Sequence, residues 1–289
     1  MAYHISLKHR LITLHNLTRS FPEKSAKEIK KLAKKSFESF FRLVADYFDI
    51  PGLTKKNLHR WVKIEGMEHY LNACKEGKGV LMFGGHLGNW EIGNAALAIS
   101  TKPFIFIYRV FDSAFVEKGI NRIRASCGNV SLSKERAMRP MIRLLKKGFS
   151  IYLLIDQNVD WREGVFVDFF GRKACTARGL ATLAGRNASP IVPIFIRSDP
   201  SGMHRITICE GFIPPGPKSL QEQEEDLTQH YTDLIEEWIR RYPEQWVWFH
   251  SRWKTRPHGE ATIYPKRSKT IKRLGNRLSA MAVSLPAGM

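Results

Sequence analysis

The sequence predicts an α/β protein, a single domain whose central mixed, mostly parallel sheet is flanked by helices. Short apolar runs of strand length, rich in β-branched and aromatic residues, recur along the chain, and helical stretches lie between most of them. Strands that alternate with helices in this way indicate crossover connections and therefore parallel pairing. The predicted strands are Val80–Phe83, Phe104–Tyr108, Ile151–Ile155, Ile191–Ile196 and Arg205–Cys209.

The helices follow from apolar side chains that recur about every 3.6 residues. They are predicted over residues 89–100, 113–127, 134–148, 174–187 and 219–241. The last begins with Ser219 and an acidic first turn, which the helix dipole favours.

Two further helices, over residues 24–48 and 266–281, are amphipathic and basic and lie at opposite ends of the chain. In both, an apolar stripe lies opposite basic side chains, which fits binding at a membrane interface. The alternative is a core-facing helix whose lysines are simply solvated. The predicted organisation is a basic helical extension over 1–63, an α/β domain over 64–256 and a basic tail over 257–289.

The positive charge of the chain is concentrated in its two ends. The 289 residues carry 46 Lys and Arg against 27 Asp and Glu, a formal net charge of +19. Residues 1–63 hold 14 basic and 5 acidic side chains, residues 240–289 hold 11 and 2, and residues 64–239 hold 21 and 20. The ends are therefore predicted to meet an anionic partner, and the near-neutral middle to carry the chemistry.

Composition excludes several classes of protein. A hydrophobic content of 43% excludes disorder, and no apolar run approaches the roughly 18 residues of a membrane-spanning helix. The four cysteines are scattered without metal-ligand spacing, which predicts reduced thiols and no metal site. No P-loop, GxGxxG or GxSxG motif is present, so NTPases, dinucleotide enzymes and serine hydrolases have no motif support.

The segment Gly84-Gly85-His86-Leu87-Gly88-Asn89-Trp90-Glu91 follows a predicted buried strand and opens a helix. If His86 lies on the loop and Glu91 in the first turn of the helix, the carboxylate can reach back to the imidazole. A carboxylate on one ring nitrogen fixes the tautomer and makes the other nitrogen a better base. The alternative is a polar loop histidine and an ordinary first-turn glutamate, and spacing alone does not decide between them.

This segment and an ordered set of others resemble the bacterial late lipid A biosynthesis acyltransferases, within the wider HxxxxD/E glycerol-phosphate and lysophospholipid acyltransferase group. Segments in the same order across about residues 16–256 carry the resemblance. They are Asn16–Glu23, His86–Glu91, Ile107–Arg109, Ile155–Asn158, Val167–Gly171 with Thr176, Pro190–Pro193 and Tyr242–His250.

The resemblance implies a glycerol-phosphate acyltransferase-like fold and acyl transfer from a thioester, acyl carrier protein or acyl-CoA, to a hydroxyl of a membrane saccharolipid. It implies His86 as general base and Glu91 as its orienting partner, without a cofactor or metal. Arg109 is expected to stabilise an oxyanion or bind an acceptor phosphate, which suits a guanidinium, although it can also be a surface residue at a strand end.

Other polar and aromatic residues have two interpretations each. Asn89 is expected to shape the mouth of the site. Asp156, Gln157 and Asn158 follow a buried strand, where polar groups of α/β sites gather, but they can also hydrogen-bond loop backbone. Thr176 is expected to cap the following helix. Trp246, Trp248, Phe249 and Trp253 fit either a lipid headgroup layer or the core.

The predicted partners are acyl carrier protein, a lipid acceptor and an anionic membrane surface, with peripheral attachment at the cytoplasmic face of the bacterial inner membrane. The acceptor can also be a lysophospholipid, an aminolipid or another glycolipid. A non-catalytic basic protein that binds membrane or nucleic acid is the alternative of a different class. Nucleic acid is not expected, because no helix-turn-helix, zinc-finger or RNP pattern is present.

Overall fold

The computed structural model describes residues 3, 6–135, 137–214 and 220–264, and the structural statements below concern this part of the chain. The helices are α1 Leu7–Ser20, α2 Ala26–Asp46, α3 Met67–Lys75, α4 Trp90–Ser100, α5 Ala114–Ala125, α6 Met138–Lys146, α7 Gly179–Asn187 and α8 Leu220–Arg241. The strands are β1 Val62–Glu65, β2 Leu81–Gly84, β3 Ile105–Tyr108, β4 Val130–Ser133, β5 Ile151–Leu154, β6 Gly164–Asp168, β7 Lys173–Ala177, β8 Ile191–Ser198 and β9 His204–Ile208.

Seven strands form one sheet in the order β1-β9-β8-β2-β5-β3-β4. Every neighbouring pair is parallel except β8 and β9, which confirms the predicted mixed, mostly parallel sheet. Strand β2 is central and completely buried. It pairs with β5 so that Leu81 lies opposite Ile151 and Gly84 opposite Leu154. The loops after β2, β5 and β3 therefore leave the sheet on one side, which we call the carboxyl edge.

The five predicted strands are all present, and four further strands are not among the predictions. Strands β1 and β4 are the two edge strands of the sheet. Edge strands are more exposed to solvent, and the sequences of these two are too polar to be recognised as apolar runs. Strands β6 and β7 form a separate antiparallel hairpin. Because β7 occupies Lys173–Ala177, the helix predicted from residue 174 begins only at Gly179. The role of Thr176 as a helix cap is therefore wrong.

The predicted basic helix over residues 24–48 is α2. Ser25 caps it: its hydroxyl accepts from the Glu28 N–H, and its own N–H donates to the Glu28 carboxylate. Such a capping box satisfies donors that the first turn leaves unpaired. Buried apolar residues of α1 and α2 join the main core of the sheet domain. The predicted helix over 266–281 lies outside the described residues, and the division of the chain at residues 63 and 256 stays a prediction.

The segment that follows α8 folds back into the core. Trp246, Trp248 and Trp253 are among the largest fully buried side chains, so the headgroup interpretation of these tryptophans is wrong. The Asn16 amide of α1 donates to the carbonyl oxygens of Trp248 and His250, at 2.8 Å each. The beginning and the end of the described chain are thus joined directly. None of the helices in the described part of the chain is both long and apolar enough to cross a membrane.

Candidate functional site

The site is built around His86, which lies on the loop after β2 at the carboxyl edge. Its Nδ1 is 2.7 Å from Oδ1 of Asp156, and its backbone N–H donates to Oδ2 of the same carboxylate at 2.8 Å. Asp156 follows β5, the neighbour of β2 in the sheet, so the parallel pairing brings together two residues 70 positions apart. One carboxylate therefore fixes both the ring and the backbone of His86.

Asp156 is held as a charged carboxylate inside the protein. Its side chain is 1% exposed, whereas that of His86 is 20% exposed. Burial opposes the charge most strongly, but the attraction of His86 and the hydrogen bonds from His86 and Trp246 outweigh it. They lower the pKa of Asp156 to about 2. The Trp246 indole N–H donates to Oδ2 at 2.6 Å, so this buried tryptophan completes the donor set of the carboxylate.

Two glycines allow this close packing. A Cβ at Gly85 would lie 3.3 Å from the Asp156 carboxyl group. Gly88 has φ +61°, and a Cβ there would lie 2.2 Å from the Ile196 carbonyl oxygen. The Gly88 N–H donates to the Gln245 carbonyl, and the Val247 N–H donates to that of His86. The C-terminal segment therefore pairs with the loop that carries the histidine.

Glu91 does not have the place that the motif predicts. Its carboxylate accepts two hydrogen bonds from Arg124 of α5, from Nε at 3.0 Å and from a terminal nitrogen at 2.5 Å. A third comes from the Trp90 indole at 3.2 Å. The expectation that Glu91 orients His86 is wrong for this structure, because the carboxylate in contact with the imidazole is Asp156. The fork geometry of Arg124 explains why Glu91 turns to α5 instead.

Asn89 and Arg109 lie in the segments that follow β2 and β3. Asn89 is the N-cap of α4: its side-chain oxygen accepts from the Ile92 N–H at 3.1 Å, and its amide donates to Asp46 at 3.1 Å. Arg109 directly follows β3 at the carboxyl edge, and its side chain is exposed. Arg109 makes no ion pair with any described residue.

The two residues after Asp156 differ in what they contact. The Asn158 side chain bonds Thr255 and the Val159 carbonyl, which is the loop-supporting alternative. Its backbone N–H donates to Nε2 of His250 at 2.9 Å. Burial lowers the pKa of His250 to about 4, so this ring is neutral near pH 7. Gln157 is half-buried next to Asp156 in the sequence. Its side chain forms no hydrogen bond with the residues that the structure describes.

Three functional neighbours escaped the sequence interpretation: Trp246, Arg124 and His250. Trp246 and His250 lie in a segment that the resemblance singled out, but nothing in their spacing connects them to a loop 90 residues earlier. Arg124 lies in a helix with no motif. No group of three or more His, Cys, Asp or Glu side chains with metal-ligand spacing occurs among the described residues.

Comparison with known proteins assigns the chain to a family. The model of the bacterial lipid A biosynthesis acyltransferases matches residues 1–255. The chain belongs to this family. Its catalytic class is therefore that of an acyltransferase, and the ordered resemblance seen in the sequence is confirmed.

Individual members of the family resemble the chain over most of its length. The lipid A biosynthesis lauroyltransferase of Escherichia coli K12 is 29% identical over 262 residues, which cover 89% of this chain and 83% of the relative. The palmitoleoyltransferase of the same strain is 25% identical over 88% of the chain and 81% of the relative. The myristoyltransferase is 22% identical over 88% and 78%. These names differ in the acyl group that is transferred.

Proposed function

We propose that this acyltransferase moves a fatty acyl group from the thioester of acyl carrier protein to a hydroxyl of a lipid A precursor. His86 is the general base, and Asp156 is the carboxylate that orients it. The observation that carries the proposal is the contact between His86 and Asp156 at the carboxyl edge. The names of the related enzymes support a lipid A acceptor.

The proton transfer follows from this contact. Because Asp156 accepts from Nδ1–H, the unprotonated nitrogen of a neutral His86 is Nε2. Nε2 takes the proton of the acceptor hydroxyl while the hydroxyl oxygen attacks the thioester carbonyl carbon. The tetrahedral intermediate then expels the thiolate, which receives that proton from His86, so that an ester and a free thiol are formed. A base in this position contributes roughly 10²–10⁴ in rate.

The charge that develops on His86 explains the place of Asp156. As the ring gains a proton it becomes a cation 2.7 Å from a buried carboxylate. A fixed, buried charge stabilises such a developing cation more strongly than water does, since it needs no reorganisation. Asp156 is the anion of this pair. Hydrogen bonds from the backbone N–H of His86 and from the Trp246 indole fix the position of its carboxylate.

Arg109 is assigned to the phosphate or oxyanion of the reaction. It lies at the carboxyl end of β3, beside β5, with an exposed guanidinium. A guanidinium binds phosphate through a planar fork of donors. Gln157 is assigned to the same mouth of the site. Glu91 acts through Arg124 and holds α5 against the start of α4.

Peripheral attachment at the cytoplasmic face of the inner membrane is part of the proposal. A lipid acceptor has to be reached where it lies in the bilayer. The excess of 14 basic over 5 acidic side chains in residues 1–63 supports attraction to an anionic leaflet.

The test is an acyl-transfer assay with labelled acyl carrier protein and a purified lipid A precursor, followed by mass analysis of the lipid. We expect the precursor to gain one acyl group. The His86→Ala variant, shown by circular dichroism to be folded, should form product roughly 10²–10⁴ more slowly. Equal rates for the two proteins would refute the role of His86. Acylation of an added lysophospholipid but not of the precursor would refute the acceptor.

A further inference from the structure

Seven large apolar side chains are exposed on two neighbouring elements of the fold, and we call them the apolar rim. The first element is the end of α2 and the short 3₁₀ helix Tyr47–Gly52 that follows. The second is the start of α5 with the loop before it. The rim consists of Phe41, Val44, Phe48, Val110, Phe111, Phe115 and Val116. Phe48 is 70% exposed and Phe115 is 89% exposed.

The two halves of the rim are joined. The Tyr47 hydroxyl donates to the Ile120 carbonyl of α5 at 2.8 Å, and the 3₁₀ helix contacts both α4 and α5. None of the residues of α5 is fully buried, so this helix lies on the surface with Phe115 and Val116 in water. A contiguous exposed apolar surface of this kind marks a binding site for a membrane or another molecule.

The rim borders the mouth of the site. Asp46, the last residue of α2, accepts a hydrogen bond from Asn89, three residues after His86. Val110 and Phe111 lie in the loop after β3, which leaves the sheet at the carboxyl edge, next to the loop that carries Asp156. A surface that covers the rim therefore also faces the loops that carry His86 and Asp156.

The charges around the rim indicate what kind of partner covers it. At about 100° per residue, Lys27, Lys30, Lys31 and Lys34 lie on the same exposed face of α2 as Phe41. On α5, Lys118 and Arg122 follow Phe115 at i+3 and i+7 and are likewise exposed. These six basic residues form no ion pair with any other residue that the structure describes.

We propose that the apolar rim inserts into the surface of an anionic lipid bilayer, with the lysine face of α2 and the basic residues of α5 on the headgroups. Aromatic side chains next to lysines are the composition of interfacial helices. The inserted rim holds the carboxyl edge, and with it His86, against the lipid. This inference deepens the proposed membrane attachment and names its surface, and it rests on that part of the proposed function.

The first experiment measures binding to vesicles. The probe is sedimentation of the full chain with equimolar phosphatidylcholine and phosphatidylglycerol. Phe48→Ser and Phe115→Ser should each weaken vesicle affinity by roughly 10-fold, because each removes a phenyl ring that the proposal inserts into the lipid. Phe149→Ser and Val130→Ser are the matched controls. Both positions are exposed and precede or begin strands, so they lie at the opposite edge of the sheet. They should bind like the unchanged protein.

A second set of variants tests insertion against a loss of folding. Phe115→Trp keeps an interfacial aromatic ring and should retain vesicle binding, whereas Phe115→Ser should lose it at an unchanged thermal midpoint. Reversing Lys30, Lys31 and Lys34 to Glu should weaken binding to the anionic vesicles by at least roughly fivefold for each residue. With phosphatidylcholine alone these lysine variants should show no such difference.

The inference is overturned if Phe48→Ser and Phe115→Ser bind vesicles as tightly as the unchanged protein. It is also overturned if both variants lose affinity for acyl carrier protein instead, since the rim is then a docking site for the carrier. Vesicle binding requires no turnover. Unchanged protein that binds vesicles through the rim but acylates no lipid would therefore refute the proposed reaction and support the inference.

Discussion

Asp156 and Glu91 are both buried carboxylates among the predicted site residues, and their partners differ in kind. Glu91 is neutralised by the permanent cation of Arg124 through two hydrogen bonds. Asp156 is surrounded by neutral donors, an indole and a backbone N–H, and by an imidazole whose charge depends on its protonation. The ion pair of Glu91 is complete at all times, which suits a structural link. In the proposed reaction, the charge of Asp156 is available to an imidazolium that forms only during the transfer.

The largest expected effect separates the two carboxylates by rate. Asp156→Asn should lower kcat for acyl transfer by roughly 10²–10⁴, because the amide has one acceptor oxygen where the carboxylate uses two and has no charge to stabilise the imidazolium. Glu91→Gln, measured in the same assay, should lower kcat much less. The opposite order would assign the orienting role to Glu91 and refute the assignment to Asp156.

The second effect separates them by stability. Glu91→Gln should lower the free energy of unfolding by about 3–5 kcal/mol, because it leaves Arg124 buried with its charge uncompensated. Glu237→Gln breaks an exposed ion pair with Arg241 and is the matched control, with an expected loss of only about 0–1 kcal/mol. Urea titration of both variants measures the difference. A loss for Glu91→Gln no greater than the control would show that the ion pair contributes nothing.

Acid should remove the stabilisation that Asp156 provides. Its pKa is lowered from 3.8 to about 2 in the folded protein, so its charge contributes about 2 kcal/mol above pH 4. That contribution decreases as the pH falls from about 4 through 2. The difference in unfolding free energy between the unchanged protein and Asp156→Asn should therefore shrink over that range. A difference independent of pH would contradict the low pKa.

The smallest effect concerns the cap that follows the histidine loop. Asn89→Ala removes the side-chain acceptor for the Ile92 N–H and should cost about 1 kcal/mol of unfolding free energy. Asn89→Ser keeps an acceptor without bringing a second carboxylate against Asp46 and is the comparison variant. If both variants unfold at the same urea concentration as the unchanged protein, the cap does not stabilise α4.

Much of the fold could be predicted because central strands are apolar throughout. Strands such as β2 and β5 are recognisable without any knowledge of their neighbours. The edge strand β4, with sequence VSLS, is half polar, and its pairing with β3 is what makes it a strand. The β6–β7 hairpin is not predicted either, because its second strand, Lys173–Ala177, overlaps the helix predicted over residues 174–187.

The sequence predicts which residues belong to the candidate site better than it predicts which of them contact each other. His86 and Asp156 were both recognised, one by its motif and one by its position after a buried strand. Their contact depends on β2 and β5 being neighbours, and the sequence does not state the order of the strands. The spacing of Glu91 suggested a local partner, but a guanidinium from a distant helix competes for that carboxylate.

The pairing of residues 245–247 with the loop around His86 has a consequence for co-translational folding. Strands β2 and β5 emerge early, and domains fold from their N-terminal part during synthesis. The indole that completes Asp156 belongs to residue 246, and the carbonyls that anchor Asn16 belong to residues 248 and 250. The contact between His86 and Asp156 is therefore fixed only after residues 245–250 have been synthesised, and a nascent chain that lacks them lacks the geometry of the proposed acyl transfer.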